Sequence, residues 1–346
     1  MKFLMIGLGS IGQRHLRNIR RVYGDEVEII AYRVRGLKRT FSDTMQIRDN
    51  VSLEEEYNIR SYGFLEEALA QKPDVAFITN PTSLHIPCAI ACAKAGCHLF
   101  LEKPISDNED QLDELIEIVK EKKLKVFVGY QNRFHPGIKE LKKMLKKEEL
   151  GKVLSVESVV GERLTTMHTY EDYKETYMAR KDMGGGVVTN QMVHELDYLY
   201  YLFGAPAGVY AVGGVLGDLG IDVEDVCDAV FFGKDDDRSF PVTVHADFYQ
   251  YPPSRYIQVV GTKGKVKVDI IGNTLVKTIA DVTTEISYDK FQRNDMFIDE
   301  LKSFIDCINK NTKPAIGLND GIVSLRLATC IKESMKMGGK KFEFNI

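Results

Sequence analysis

The first 130 residues alternate short apolar runs with amphipathic stretches, the pattern of repeated strand–helix–strand units and a parallel sheet. Runs at 2–6, 27–32, 74–78, 98–101 and 125–129 are the expected strands. Between them lie helical stretches such as 108–123, where Leu112, Leu115, Ile116 and Val119 recur at helical spacing and Ser106 with Glu109 matches a capping box. A Lys-rich amphipathic stretch at 137–149 ends near Gly151, and its charges fit a solvated helix face. From 152 onward the texture changes. Runs at 152–160, 209–216, 226–232, 241–250, 255–260 and 264–270 alternate in the manner of a mixed or antiparallel sheet, several of them joined by Gly-containing turns. Helical patterns return at 189–203, 294–310 and 319–336. The expectation is an α/β chain of two domains: residues 1–130 as a doubly wound parallel sheet, and 131–346 as a second α/β domain with an open, largely antiparallel sheet.

Composition narrows the function. The 46 basic and 50 acidic residues give a net charge of -4, without the basic excess of a phosphate-backbone footprint, so nucleic acid is not an expected partner. No apolar run approaches the roughly 20 residues that span a bilayer, and an apolar strand starting at Phe3 leaves no room for a signal peptide. A cytoplasmic chain with no membrane partner is expected. Six cysteines, at 88, 92, 97, 227, 307 and 330, form no CxxC pair and no Cys/His zinc spacing, so they read as reduced, mostly buried thiols and no metal is expected.

The turn Gly7-Leu8-Gly9-Ser10-Ile11-Gly12 follows the first apolar strand and opens a helical stretch, the context that gives a GxGxxG spacing physical meaning. Gly7 allows the tight turn, Gly9 lets backbone approach a pyrophosphate, and Gly12 permits close packing of helix on strand. Ser10 and Ile11 begin the helix whose free N–H groups face the phosphates. A dinucleotide is therefore the expected cofactor. The acidic residue that usually holds the ribose of NAD at the end of the second strand is replaced by Tyr32 and Arg33, with Arg35, Lys38 and Arg39 close behind. An Arg grips a 2′-phosphate through two hydrogen bonds, so NADP is preferred. NAD stays open if these cations merely coat a loop and the ribose acceptor lies elsewhere.

Further motifs are Thr79-Asn80-Pro81 with His85, Glu102-Lys103-Pro104 after the run His98–Leu101, and Gly184-Gly185-Gly186 leading to His194 and Asp197. With the Gly-rich turn, they make the chain resemble, over most of its length, the Gfo/Idh/MocA family of oxidoreductases. The resemblance implies an N-terminal Rossmann domain, a C-terminal α/β domain whose open sheet serves for assembly of a homodimer or homotetramer, and hydride transfer between NAD(P) and a carbinol or keto group of a sugar or sugar derivative. It implies that Thr79, Asn80, Pro81, His85 and Glu102 lie at the cofactor, that Lys103 lies beside nicotinamide and substrate, and that an Asp and a His four residues apart complete the catalytic group. Lys103 and His194 match, but the Asp position holds Asn190. A neutral amide does not accept a proton as a carboxylate does, which leaves Asn190 to orient substrate. His194 is suited to take the hydroxyl proton, and Lys103 to bind the reacting oxygen and stabilise the developing alkoxide. By residue type alone, a Lys after a strand is a solvated cation and a His among Tyr and Leu is packing.

Tyr130-Gln131-Asn132-Arg133-Phe134 follows a strand end, on the side where open α/β sheets bind ligands. Gln131 and Arg133 are thus substrate candidates, with an interdomain salt bridge as the alternative for Arg133. The segment 162–182 carries Arg163, His168, Tyr170, Tyr173, Tyr177, Arg180 and Lys181 and reads as a substrate loop. Arg163 and Tyr177 are the contacts expected from it, since aromatic faces and cations suit a sugar bearing a phosphate, nucleotide or carboxylate. The bland alternative is a polar crossover with buried tyrosines. Three other functions stay open: a glycosidase of the same family that holds NAD, a non-catalytic dinucleotide-binding regulator, and reduction of a non-sugar carbonyl or imine.

Overall fold

A computed structural model describes residues 1–43, 46–167, 169–235 and 238–344. Its chain forms two compact units, Met1–Gly129 with Arg293–Gly321 and Tyr130–Gln292 with Ile322–Ile346.

In chain order the first unit holds strands β1 (Lys2–Ile6), β2 (Glu28–Tyr32), β3 (Arg39–Phe41), β4 (Ile47–Asp49), β5 (Arg60–Tyr62), β6 (Val75–Ile78), β7 (His98–Leu101) and β8 (Val126–Val128). Helices α1 (Ser10–Tyr23), α2 (Leu53–Tyr57), α3 (Leu65–Leu69), α4 (His85–Lys94) and α5 (Leu112–Glu121) alternate with them. Six strands pair in parallel in the order β5-β2-β1-β6-β7-β8, while β3 and β4 form a separate hairpin. The order runs outward in opposite directions from β1 and β6, which makes their carboxyl ends a topological switch point. Phe3, Leu4, Met5 and Ile6 are all buried, as are Val75–Ile78, because helices cover both faces of such a sheet.

The second unit begins with α6 (Pro136–Lys146), β9 (Val153–Gly161), α7 (Leu164–Met167) and α8 (Val193–Phe203). Strands β10 (Gly208–Gly214), β11 (Val226–Asp235), β12 (Arg238–Asp247), β13 (Ser254–Gly261), β14 (Gly264–Asp269), β15 (Thr274–Ile279) and β16 (Val282–Ser287) follow. Along the chain then come α9 (Arg293–Asn309), α10 (Leu318–Lys336) and β17 (Phe342–Glu343). The nine-stranded sheet runs β16-β15-β14-β13-β9-β12-β11-β10-β17, antiparallel except for the parallel β9–β12 pair. Alternation sends Val242, Val244 and Ala246 of β12 into one core with Leu196, Leu199 and Leu202 of α8.

The sequence placed everything after 130 in one domain, whereas α9 packs within the first unit. The reason is an aromatic ladder. Phe77, Phe100 and Phe127 stack across β6, β7 and β8 with centroids 4.6 and 5.6 Å apart, and Phe304 of α9 lies on all three at 5.7–6.2 Å. Aromatic rings dominate such cores, so this helix is held by the sheet it covers. The expected capping box also fails. α5 starts at Leu112, six residues after Ser106, because Ser106 Oγ accepts from Asn108 N (3.3 Å) and Asn108 Oδ1 from Asp110 N (2.8 Å). These local side-chain turns take the backbone groups that an earlier helix start would need.

Candidate active site

β1 delivers the chain to Gly7, whose φ is +87° and whose N–H donates to Tyr32 O at 3.2 Å. A Cβ on Gly12 would lie 2.3 Å from Gly7 O and 2.6 Å from Thr79 Oγ1, whereas one on Gly9 would meet nothing within 4 Å. The three glycines therefore serve differently, Gly7 in a left-handed turn, Gly9 in leaving the approach open, and Gly12 in letting helix touch strand. α1 has Gly9 as N-cap with no side-chain cap and no acid in its first turn, so the amides near Ser10 and Ile11 and the positive helix end face outward for an anion. Thr79 Oγ1 donates to Gly7 O (2.7 Å), and Gln13 ties Leu8 O (3.1 Å) to Arg39 O (2.9 Å) and Phe41 N (3.0 Å). This preset cradle fits a dinucleotide pyrophosphate.

The loops after β6 and β7 are fastened to each other. The His85 ring, 2% exposed, lies 2.8 Å from Asn80 O through Nε2 and 2.9 Å from Pro104 O through Nδ1. Burial pulls its pKa below the ordinary histidine range, against the upward pull of the two carbonyls. His85 is thus a clasp between the Thr79-Asn80-Pro81 and Glu102-Lys103-Pro104 loops. Glu102 Oε1 is 2.7 Å from His15 Nε2, and Oε2 accepts from Lys103 N at 3.1 Å. Burial alone would push this carboxyl up, but His15 and then Lys103 hold it below the usual carboxylate range. His15 itself sits against Phe77 and Phe100 at 5.4 and 4.8 Å. Lys103 is half-buried at this anchored corner.

Arg33 is held by its own unit. Its Nη1 pairs with the Glu54 carboxylate and its Nη2 donates to Leu37 O at 2.5 Å, so both ends of the fork are engaged inside the first unit. Sequence reading counted the cations of this loop but could not see a carboxylate 21 residues away.

In the second unit the three glycines lead into a helix with an unusual first turn. A Cβ on Gly185 would come within 2.6–2.7 Å of the carbonyls of Tyr177, Met178 and Arg180, and one on Gly186 (φ +116°) within 2.2 Å of Glu224 Oε1. Only glycine lets these segments meet. Val188–Met192 forms a π-helical turn that continues into α8, a feature common at functional sites. Asn190 in that turn and His194 in the first turn of α8 are both 6% exposed. The His194 ring meets Tyr130 edge-on at 6.2 Å, next to the short 3₁₀ turn Gln131–Phe134, whose Gln131 is buried. Asn190, His194 and Gln131 are therefore brought into one region of this unit by α8 and that turn.

Arg133 is an anchor there. Its Nε and Nη2 donate to Asp197 at 2.8 and 2.7 Å, with the two side chains 6% and 0% exposed, and it lies over the Tyr201 ring at 5.0 Å. The pair lies within the second unit and holds Nε and Nη2 of the guanidinium. Of the segment 162–182, Tyr173 donates to Leu219 O (2.8 Å) and Arg180 pairs with Asp182 (2.7 Å), both structural uses. Arg163 is exposed over the Tyr251 ring at 5.2 Å and Tyr177 is 36% exposed, so these two stay accessible. His168 lies outside the described residues. Sequence reasoning missed His15, Glu54 and Glu224; only His15, three residues after Gly12 on the same helix, carried a local signal.

A parallel α/β unit with this cradle, together with a sheet unit that carries a His-bearing helix, defines a dinucleotide-binding oxidoreductase. The model of the oxidoreductase family with an NAD-binding Rossmann fold matches residues 1–130, and that of the Gfo/Idh/MocA C-terminal domain matches 138–267. The chain belongs to the Gfo/Idh/MocA family. It is 27% identical over 355 residues to the myo-inositol 2-dehydrogenase of Thermotoga maritima, covering 97% of this chain and 96% of that one. It is 24% identical over 283 residues to a D-xylose 1-dehydrogenase (NADP(+)) of Haloferax volcanii, covering 80% and 83%. Its fold resembles that of the WlbA dehydrogenase from Bordetella pertussis, solved with NADH and UDP-GlcNAcA, with a TM-score of 0.82 at 22% identity over 100% and 98% of the chains. Among the described residues no helix is long and apolar enough to cross a membrane.

Proposed function

We propose that this oxidoreductase interconverts a carbinol and a keto group on a sugar or sugar derivative, in the cytoplasm, with NAD(P). The observation that carries the reading is the glycine cradle at β1 next to the Lys103 corner, which Glu102 and His85 fix from two sides. A bound nicotinamide supplies hydride exchange. Lys103 would hold the reacting oxygen and stabilise negative charge that develops on it; His194 would take or return the hydroxyl proton; Asn190 and Gln131 would orient the ring by hydrogen bonds. Exposed Arg163 and Tyr177 are suited to an anionic sugar substituent. Sugar substrates are supported by the names of the inositol and xylose dehydrogenases it resembles. The exposed cations Arg35 and Lys38 after β2 favour NADP. Exposed Tyr210 and Val212 on β10 support assembly of a homodimer or homotetramer through the open sheet.

Asn190, in place of the family's Asp, favours one second reading, a dinucleotide-binding regulator without turnover. Melting curves with NAD, NADH, NADP and NADPH, followed by a sugar and cyclitol panel with product analysis, separate the two. A ligand bound only by the folded state at about 100 times its Kd adds about 2.7 kcal/mol of stability. Nucleotide stabilisation with net oxidation of a panel member is expected. Stabilisation with no turnover supports the regulator, and no stabilisation by any of the four overturns both.

A further inference from the structure

The acid that a dinucleotide fold normally carries at the end of its second strand is missing, since β2 ends at Tyr32 and Arg33 follows. A carboxylate nevertheless reaches the same place from another element. Glu54 lies in the first turn of α2, whose N-cap Ser52 accepts from Glu55 N at 3.3 Å, a position where negative charge is favoured by the helix end. Its Oε1 takes Arg33 Nη1 and also accepts from Ser61 Oγ at 2.6 Å. Ser61 is on β5, paired with Ala31 of β2, and Arg33 N donates to Tyr62 O at 3.0 Å. Two strands and a helix thus converge on one carboxylate. The Arg33 side chain is 9% exposed and that of Glu54 39%, so at this strand end the group open to solvent is the acid and the covered one is the base.

We infer that Glu54 sets the nucleotide preference of the first unit: closed on Arg33, it withholds the guanidinium from a 2′-phosphate and presents a carboxylate that can accept a ribose hydroxyl. The inference rests on the dinucleotide reading of that unit. A 2′-phosphate brought to this corner is repelled by the Glu54 charge and wins Arg33 only by displacing a partly buried ion pair. A ribose hydroxyl donates to the same carboxylate with no charge conflict. Glu54 therefore opposes the pull of Arg35 and Lys38 toward the phosphorylated cofactor.

The test is calorimetric titration of NADH and NADPH into wild type, Glu54→Gln, Arg33→Ala and the double variant, without substrate. Gln keeps the size of Glu54 and removes its charge; Glu54→Asp, which shortens the reach to Arg33, serves as a second variant should Gln disturb folding. The ratio Kd(NADPH)/Kd(NADH) is expected to fall about tenfold in Glu54→Gln, the scale of one added charge-assisted hydrogen bond, and to fall in the same direction in Glu54→Asp. Measured against Arg33→Ala, the double variant is expected to show a clearly smaller fall, because the released Arg33 captures the phosphate and without it only the loss of Glu54 repulsion and hydroxyl acceptance remains. A purely structural role would weaken both nucleotides alike. A ratio within about twofold of wild type in both Glu54 variants, or a fall as large without Arg33 as with it, overturns the inference while nucleotide binding stands. If wild type binds neither nucleotide, the inference falls with the dinucleotide reading beneath it.

Discussion

Replacing Asp197 by Asn changes little volume and removes one buried charge. Asp197 receives two hydrogen bonds from Arg133, at 2.8 and 2.7 Å, and its side chain is 0% exposed. The guanidinium also lies over the Tyr201 ring, and Lys142 Nζ lies 4.8 Å from the centroid of the same ring. Without the carboxylate, two cations would share that ring with no balancing charge from Asp197. Breaking one partner of a buried pair costs about 3–5 kcal/mol, and because an amide oxygen still accepts one hydrogen bond, the lower end, about 3 kcal/mol, is expected. The chain contains no Trp, so urea unfolding is best followed by circular dichroism, with a comparison at equal m values. The apolar pair Arg133→Met with Asp197→Leu is expected to recover most of the loss, since it removes both charges together. A loss under about 1 kcal/mol for Asp197→Asn would show that Arg133 is not committed to this pair.

Two other outcomes are expected in the first unit. Gly12→Ala would place a methyl 2.3 Å from Gly7 O, so it is expected to abolish stabilisation by every nicotinamide nucleotide, read by melting curves; retained stabilisation would mean the cradle is not the binding site. Glu300 of α9 is fully buried with no hydrogen-bond partner for either oxygen among the described residues, and burial first, then the Glu102 charge, raises its pKa well above 4.5. The folded chain then keeps a proton that the unfolded chain releases, so stability falls as pH rises above about 4.5 toward the raised value. Glu300→Gln is expected to abolish that fall and to exceed wild type in melting temperature most at about pH 8 and least near about pH 5. A difference that does not vary with pH refutes a neutral Glu300.

The strands of the first sheet were legible because both of their faces are buried, which leaves uninterrupted runs such as Phe3–Ile6. The three-residue strands Arg39–Phe41, Ile47–Asp49 and Arg60–Tyr62 were not, since each carries charge and is too short to show a period. Likewise the β15–β16 hairpin lies at the sheet edge, where β16 is mostly exposed and no apolar face marks it. The apolar spacing of α9 announced a helix, but only the Phe77–Phe100–Phe127 ladder decides which sheet it covers. In the site, residues identified by local spacing, Gly7 to Gly12 and Glu102 to Pro104, follow the carboxyl ends of β1 and β7. What local spacing did not show were the distant partners: Glu54 of Arg33, Pro104 of His85 and Asp197 of Arg133. A sequence displays charge, whereas commitment of that charge is a property of the fold.

The proposed catalysis rests on Lys103 acting at the reacting oxygen, and the decisive measurement is steady-state nicotinamide turnover of wild type and Lys103→Ala on the same sugar, with nucleotide binding checked by melting. Loss of one such stabilising interaction costs about 10²–10³ in rate. A fall of that size with unchanged nucleotide stabilisation is predicted; turnover by Lys103→Ala within about threefold of wild type would show that Lys103 does not stabilise the reacting oxygen.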